Sequence, residues 1–159
     1  MLRHIFSPLK LFWGIVIFDQ MLKIMVKMAM TPRETIPLFP GVFHLTYVLN
    51  PGAAFGLWEN ARFFFVGTGI LVLLGAAFVY PKLRCESAWL RYGIIALLGG
   101  TVGNLIDRIY NGLVVDYLDF RFWPVFNLAD IAIVAGAVAV IYAIMFKDNK
   151  TPVESTRLR

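Results

Sequence analysis

Charge is what this sequence has least of. Asp, Glu, Lys and Arg make up 16% of its 159 residues, where soluble globular proteins carry about 25%. With 59% hydrophobic residues, the composition excludes an ordinary water-soluble domain and indicates an integral membrane protein. The single cysteine, Cys85, excludes a disulfide framework. Histidine occurs twice, as His4 and His44, and no H-E-x-x-H helix is present, so a zinc hydrolase site lacks its ligands. A Gly-rich phosphate loop, internal repeats and low-complexity segments are absent as well.

What is there is apolar length. Stretches at roughly 9–29, 62–80, 88–106 and 125–146 each approach or exceed the ~20 residues a helix needs to cross a bilayer. They lack the two-residue alternation of barrel strands. The first has a basic start, but Asp19, Gln20, Lys23 and Lys27 interrupt it and no A-x-A site follows, so it reads as an uncleaved helix. Arg3, Lys10, Lys82, Arg84, Arg91, Lys147, Lys150, Arg157 and Arg159 are nine of the fifteen basic residues. Four spans put all of them on one side, which the positive-inside rule makes cytoplasmic, together with both termini. The net charge of +5 follows this topology, and no nucleic-acid partner is expected.

The segments 30–61 and 108–124 then face outward. "TPRETIPLFPG" is too rich in proline for a helix, "VFHLTYVL" is β-branched and aromatic like a strand, and "NPGAAFG" suits a type II turn at Pro51 and Gly52. The expectation is one membrane domain over 1–159. Its fold class is an all-α membrane protein with four transmembrane helices, a small β-rich segment (30–61) on the outer face, and a polar, disordered tail (147–159). Small residues at helical spacing (Gly99 with Gly103, Ala132 with Gly136, Ala135 with Ala139) allow helices to approach closely in lipid.

Ionisable groups within such helices are costly and face a protein interior or a wet cavity. Asp19 and Lys23 in "FDQMLK" are spaced for an intrahelical ion pair, which either pins the helix or serves a site directly. "GGTVGNLIDRIYNG" ends the third span, with Asn104, Asp107 and Arg108 near the outer surface. Arg108 there complements the helix dipole or snorkels to the interface, and Asn104 is placed for an interhelical hydrogen bond. Asp116 lies in the outward connection and Asp130 one turn into the fourth span, so the two can converge at the outer rim. Asp130 reads equally well as part of a capping box with Asn127.

Elimination favours chemistry. Ser7, Ser87 and Ser155 are the only serines, and they fall with Cys85 on the cytoplasmic side, which leaves the outer rim without a serine or cysteine nucleophile. Carboxylates remain. Two aspartates sharing a water split their pKa values, so that one takes a proton from water while the other polarises a peptide carbonyl. Neither a metal nor a cofactor is expected.

"FDQMLK", "YVLNPGAAFG", "GGTVGNLIDR", "VVDYLDF" and "FNLAD" follow one another over residues 18–130, and through them the chain resembles the lipoprotein signal peptidases, the type II signal peptidases of bacteria. The resemblance implies an aspartic endopeptidase of the inner membrane that removes signal peptides from prolipoproteins just before a cysteine carrying diacylglycerol. It implies Asp116 and Asp130 as the catalytic pair, Asn50, Gly52, Asn104, Arg108 and Asn127 as polar helpers, and Asp19 and Lys23 as buried support. Asp107 matches its block without a catalytic role. Asp119 falls outside the family's essential set and is expected as a surface charge. Pro51 departs from the family's usual small or polar residue, which leaves that turn's shape open. The partners implied are lipid-modified prolipoproteins and membrane lipids, with the enzyme a monomer and its site near the outer leaflet. The 30–61 sheet would flank the substrate and supply edge backbone groups.

A reading from another class is a small ion-coupled transporter or channel subunit, because intramembrane Asp, Lys and Asn also mark ion pathways. It puts function in the Asp19–Lys23 pair and tolerance at Asp116. An intramembrane aspartic protease of the G-x-G-D type lacks its block here.

Overall fold

A computed structural model describes residues 3–52, 62–79 and 87–146. Expectations that fall on Lys82, Arg84, Cys85, the 53–61 stretch and the tail 147–159 lie outside the described residues.

The chain forms α1 (Arg3–Ala29), β1 (Thr35–Phe39), β2 (Phe43–Asn50), α2 (Arg62–Val79), α3 (Ala88–Asn111), β3 (Val114–Asp119) and α4 (Leu128–Met145). Helices α3 and α4 are long and apolar enough to cross a membrane. The apolar stretch expected to end at 106 continues to Asn111, which keeps Asn104, Asp107 and Arg108 on a rigid helix. It stops at Gly112, whose φ of 76° is left-handed and whose N–H bonds Arg108 O, a glycine-dependent helix end. The fourth helix begins at Leu128 rather than 125 because Phe126 is held in a bridge to Leu118.

Helix α3 packs against α1, α2 and α4. Glycine permits the tightest crossing: a Cβ on Gly136 of α4 would sit 2.6 Å from Leu97 N of α3. This is the close approach that the small-residue spacing predicts.

One departure from the sequence reading matters for the site. The β-rich part is not confined to 30–61: Val114–Asp119, read as a plain connection, is the third strand of an antiparallel sheet ordered β1-β2-β3. "VVDYLD" is β-branched and aromatic enough for a strand, and all but Leu118 are buried. Beneath the sheet, Val26 near the end of α1 and Met30 just after it pack with Tyr47, Val115 and Tyr117 in a small core. The sheet is thus seated on α1 while β3 runs straight from α3 towards α4.

Candidate active site

A bulge aims the first acid. Between the β2–β3 pairs Leu45↔Leu118 and Val48↔Asp116, β2 spends three steps where β3 spends two. An extra residue of this kind redirects side chains locally. Asn50 pairs with Val114, so its side chain lies on the same face as Asp116, one diagonal step away. Its Nδ2 donates to Asp116 Oδ2 at 2.8 Å, and its Oδ1 accepts from Gly52 N at 2.9 Å. That side-chain turn, formed around Pro51, is what closes the "NPG" corner.

The second acid sits on the first turn of α4, and the capping box is real. Asn127 Oδ1 accepts from Asp130 N at 3.0 Å, and Asn127 N donates to Asp130 Oδ2 at 3.1 Å. Because Oδ1 is engaged at the cap, Asn127 Nδ2 points the other way, reaching Asp116 Oδ1 at 2.7 Å and Asn104 Oδ1 at 3.0 Å. One fully buried residue therefore touches both acids. The remaining amides of the turn are taken too: Leu128 N donates to the Tyr117 hydroxyl at 3.3 Å and Ala129 N to Asp19 Oδ1 at 3.0 Å. A helix N-terminus normally leaves such groups open to a ligand; here they all serve to fix Asp130.

Behind the acids lies a buried cation. Lys23 Nζ meets Asp19 Oδ2 at 2.8 Å, Asp107 Oδ2 at 3.0 Å and Asn104 Oδ1 at 3.0 Å, which uses all three ammonium protons. Asn104 Nδ2 in turn donates to Asp130 Oδ1 at 2.7 Å. Asp107 also accepts from Val115 N at 3.1 Å, tying α3 to β3 one residue before Asp116.

A cavity of about 400 Å³ opens onto these groups. Asn50, Gly52, Asn104, Arg108, Asp116 and Asp130 form its polar end. Phe65, Thr101, Ile133 and Val134 line a more apolar part, and Trp123 to Phe126 form a wall. Arg108 Nη2 donates to Gly52 O at 3.1 Å, with the guanidinium 4.8 Å from the Phe65 ring centre, a cation–π distance. Burial, then the charge of Asp130, pushes the Asp116 carboxyl up to about 7, against the hydrogen bonds from Asn50 and Asn127. Burial likewise pushes the Tyr117 hydroxyl up to about 12. Among the described residues, no group of three or more His, Cys, Asp or Glu side chains suits a metal ion.

All nine residues singled out from the sequence (Asn50, Gly52, Asn104, Arg108, Asp116, Asn127 and Asp130, with Asp19 and Lys23 behind them) belong to this one connected cluster. Asp119 does not behave as expected. It is 5% exposed rather than a surface charge, because Thr46 on β2 and Arg121 both donate to it. The sequence reading also assigned nothing to Gln20, whose amide bonds Asp19 and Gly103 O, to the Tyr117 hydroxyl, or to the Trp123–Phe126 wall. Gln20 stood inside the quoted "FDQMLK"; the wall carries no local signal.

Paired acids at one end of an apolar helical bundle suggest a membrane hydrolase, and comparison with known proteins bears out the class. The family described as "Signal peptidase (SPase) II" matches residues 11–146. The lipoprotein signal peptidase of Pelotomaculum thermopropionicum is 45% identical over 137 residues, covering 86% of this chain and 90% of that one. That of Moorella thermoacetica is 46% identical over 127 residues, covering 80% and 85%. A solved bacterial membrane enzyme superposes with a TM-score of 0.85 at 27% identity, covering 93% of each chain. The protein is a peptidase. It belongs to the signal peptidase II family, and the transporter reading finds no support.

Proposed function

We propose that this chain is a lipoprotein signal peptidase that uses Asp116 and Asp130 to direct a water at the peptide bond preceding a diacylglyceryl-modified cysteine. The observation that carries the assignment is Asn127, which donates to Asp116 Oδ1 from its side chain and to Asp130 Oδ2 from its main chain. In this reading Asp116, raised to about 7, holds the proton and gives it to the scissile carbonyl oxygen. Asp130 takes a proton from the attacking water. The tetrahedral intermediate then collapses: the C–N bond breaks, Asp130 passes its proton to the leaving nitrogen, and a hydroxyl of the intermediate returns its proton to Asp116. Since the first amides of α4 are engaged, charge developing on the carbonyl oxygen is met by the proton arriving from Asp116 and by Arg108.

The sheet's contribution is shape. On β3, Val115 N is held by Asp107, and Tyr117 N and Leu118 N by Phe126 O, so these amides are not free for a substrate strand. Backbone recognition is assigned instead to Asn50, Gly52 and Arg108 at the polar end of the cavity.

The placement that fits is a single domain with four spans (α1 to α4) in the bacterial inner membrane, both termini cytoplasmic and the cavity at the outer leaflet, acting as a monomer. A lipid-anchored cysteine stays in that leaflet, while water reaches the pair from outside. The decisive assay is cleavage of a purified, diacylglyceryl-modified prolipoprotein by wild type, Asp116→Asn and Asp130→Asn. Each variant should insert in the membrane and lose cleavage by at least about 10³-fold; normal turnover in either removes that residue from the pair. Topology has its own check: a cysteine introduced at Thr35, with Cys85 replaced by alanine, should be labelled from outside the cell. Protection of that cysteine would invert the arrangement.

A further inference from the structure

The strand that carries Asp116 ends in a second acid with its own set of partners. Asp119 Oδ2 accepts from Thr46 Oγ1 at 2.6 Å and from Arg121 Nη1 at 3.1 Å, while Oδ1 accepts from Arg121 N at 2.8 Å. Thr46 spends its one proton on the carboxylate, which can only accept, so the 3.1 Å contact between Thr35 Oγ1 and Thr46 Oγ1 has Thr35 as donor. A polar line therefore crosses all three strands and ends at Asp119. What it fixes is the turn beyond. Arg121 adopts φ of 67°, a left-handed conformation that a non-glycine residue takes up only with local support, and both Asp119 bonds to Arg121 supply it.

That turn leads into the wall of the cleft. Trp123, Pro124, Val125 and Phe126 line the same cavity as Asp116 and Asp130. Phe120 packs on Phe43 of β2 at 4.8 Å between ring centres and lies parallel to Phe126 at 5.9 Å. The last residue of the wall is pinned separately. Phe126 O accepts from Tyr117 N and Leu118 N, and Phe126 N donates to Leu118 O. These main-chain bonds stand between residues 120–125 and Asn127, so a disturbance starting at Asp119 is spent within residues 120–125 before it reaches the capping residue.

We propose that Asp119 is a positioning residue for substrate binding, acting through the Arg121 turn to hold the Trp123–Phe126 wall against the bound peptide without touching the chemistry of the acid pair. The inference rests on reading the cavity as the cleavage site.

The test is steady-state cleavage of a diacylglyceryl-modified prolipoprotein by the full-length, membrane-embedded enzyme as wild type, Asp119→Ala, Asp119→Asn and Thr46→Val, with Asp116→Asn as control. Asp119→Ala should raise KM about tenfold, the worth of one charge-assisted bond. It should leave kcat within about twofold and the pH at which kcat falls unmoved. Asp119→Asn still accepts from Arg121 N and can donate to Thr46, so it should recover most of the KM. Thr46→Val should give a smaller rise, about threefold, and carries the test alone if Asp119→Ala fails to accumulate. Unchanged KM in Thr46→Val and Asp119→Ala would overturn the proposal, as would a tenfold loss of kcat with a displaced pH profile. Cleavage by Asp116→Asn at the wild-type rate would instead remove the reading of the site itself, and this inference with it.

Discussion

Lys23 Nζ donates to Asn104 Oδ1 at 3.0 Å, and that bond decides which way the Asn104 amide faces. An ammonium has no lone pair to offer, so the amide oxygen must lie towards α1 and the Nδ2 group must lie towards Asp130 Oδ1, 2.7 Å away. Asn127 Nδ2, donating to the same Asn104 oxygen at 3.0 Å, enforces the same choice. The polarity of the site is thus set from a helix that supplies no reacting group. Asn104→Leu keeps the volume and removes both functions. It should lower kcat by about 10²-fold, the scale of a misplaced catalytic group, with membrane insertion retained. Wild-type turnover in that variant would show the relay to be dispensable.

Removing the cation is a stability experiment. Lys23→Met leaves Asp19 and Asp107, at 0% and 1% exposure, without the cation that both pair with. Breaking a buried pair by one member costs about 3–5 kcal/mol. The triple change Lys23→Met, Asp19→Asn and Asp107→Asn removes the uncompensated charges and should recover part of that loss. Thermal unfolding in detergent reads both, and a triple variant less stable than Lys23→Met would contradict the charge argument.

The raised Asp116 carboxyl ties activity and stability to pH in the same direction. Its ordinary value is 3.8, and burial carries it to about 7 in the folded chain. Between those pH values the folded protein binds more protons than the unfolded one, so stability falls as pH rises through the window, by up to about 4 kcal/mol. Asp116→Asn cannot titrate. Its Tm should change less than that of wild type between pH 5 and pH 8, whatever its offset at any single pH. In wild type, kcat should decline above about pH 7 as the proton that the proposed mechanism takes from Asp116 is lost. Parallel Tm curves for the two proteins would show that Asp116 is not the titrating group.

How far the sequence carried this picture depends on the range of the signal. Apolar runs and charge gaps mark the helices because lipid demands unbroken hydrophobic length. The pair Asp19–Lys23 is visible because four residues make one helical turn. Asn127 and Asp130 are visible as a capping box for the same local reason. The third strand was missed because nothing within Val114–Asp119 says that β2, more than sixty residues earlier, is its partner. Asp119 was misread on the same account: its burial comes from Thr46 across the sheet. The Trp123–Phe126 wall follows a turn shaped by Asp119, whose hold on Arg121 depends on Thr46 across the sheet.

Two glycines of α3 set the seat of Asp130, and a third glycine supplies the control. A Cβ on Gly103 would sit 2.6 Å from Asp19 Oδ2 and 3.2 Å from Ala129 Cβ, and one on Gly100 would meet the Ala129 carbonyl oxygen. Both clashes fall on the first turn of α4 or on the carboxylate that caps it. Backbone cannot step aside as a side-chain end can, so Gly100→Ala should displace α4, with a loss of about 1–3 kcal/mol and about 10²-fold in cleavage rate. Gly75 on α2 has nothing within 4 Å of its would-be Cβ, and Gly75→Ala should be neutral or slightly stabilising, since alanine favours helix over glycine. Thermal unfolding and cleavage rates measured side by side separate the cases. Equal behaviour of Gly100→Ala and Gly75→Ala would mean that the α3–α4 contact tolerates expansion and does not hold the acid in place.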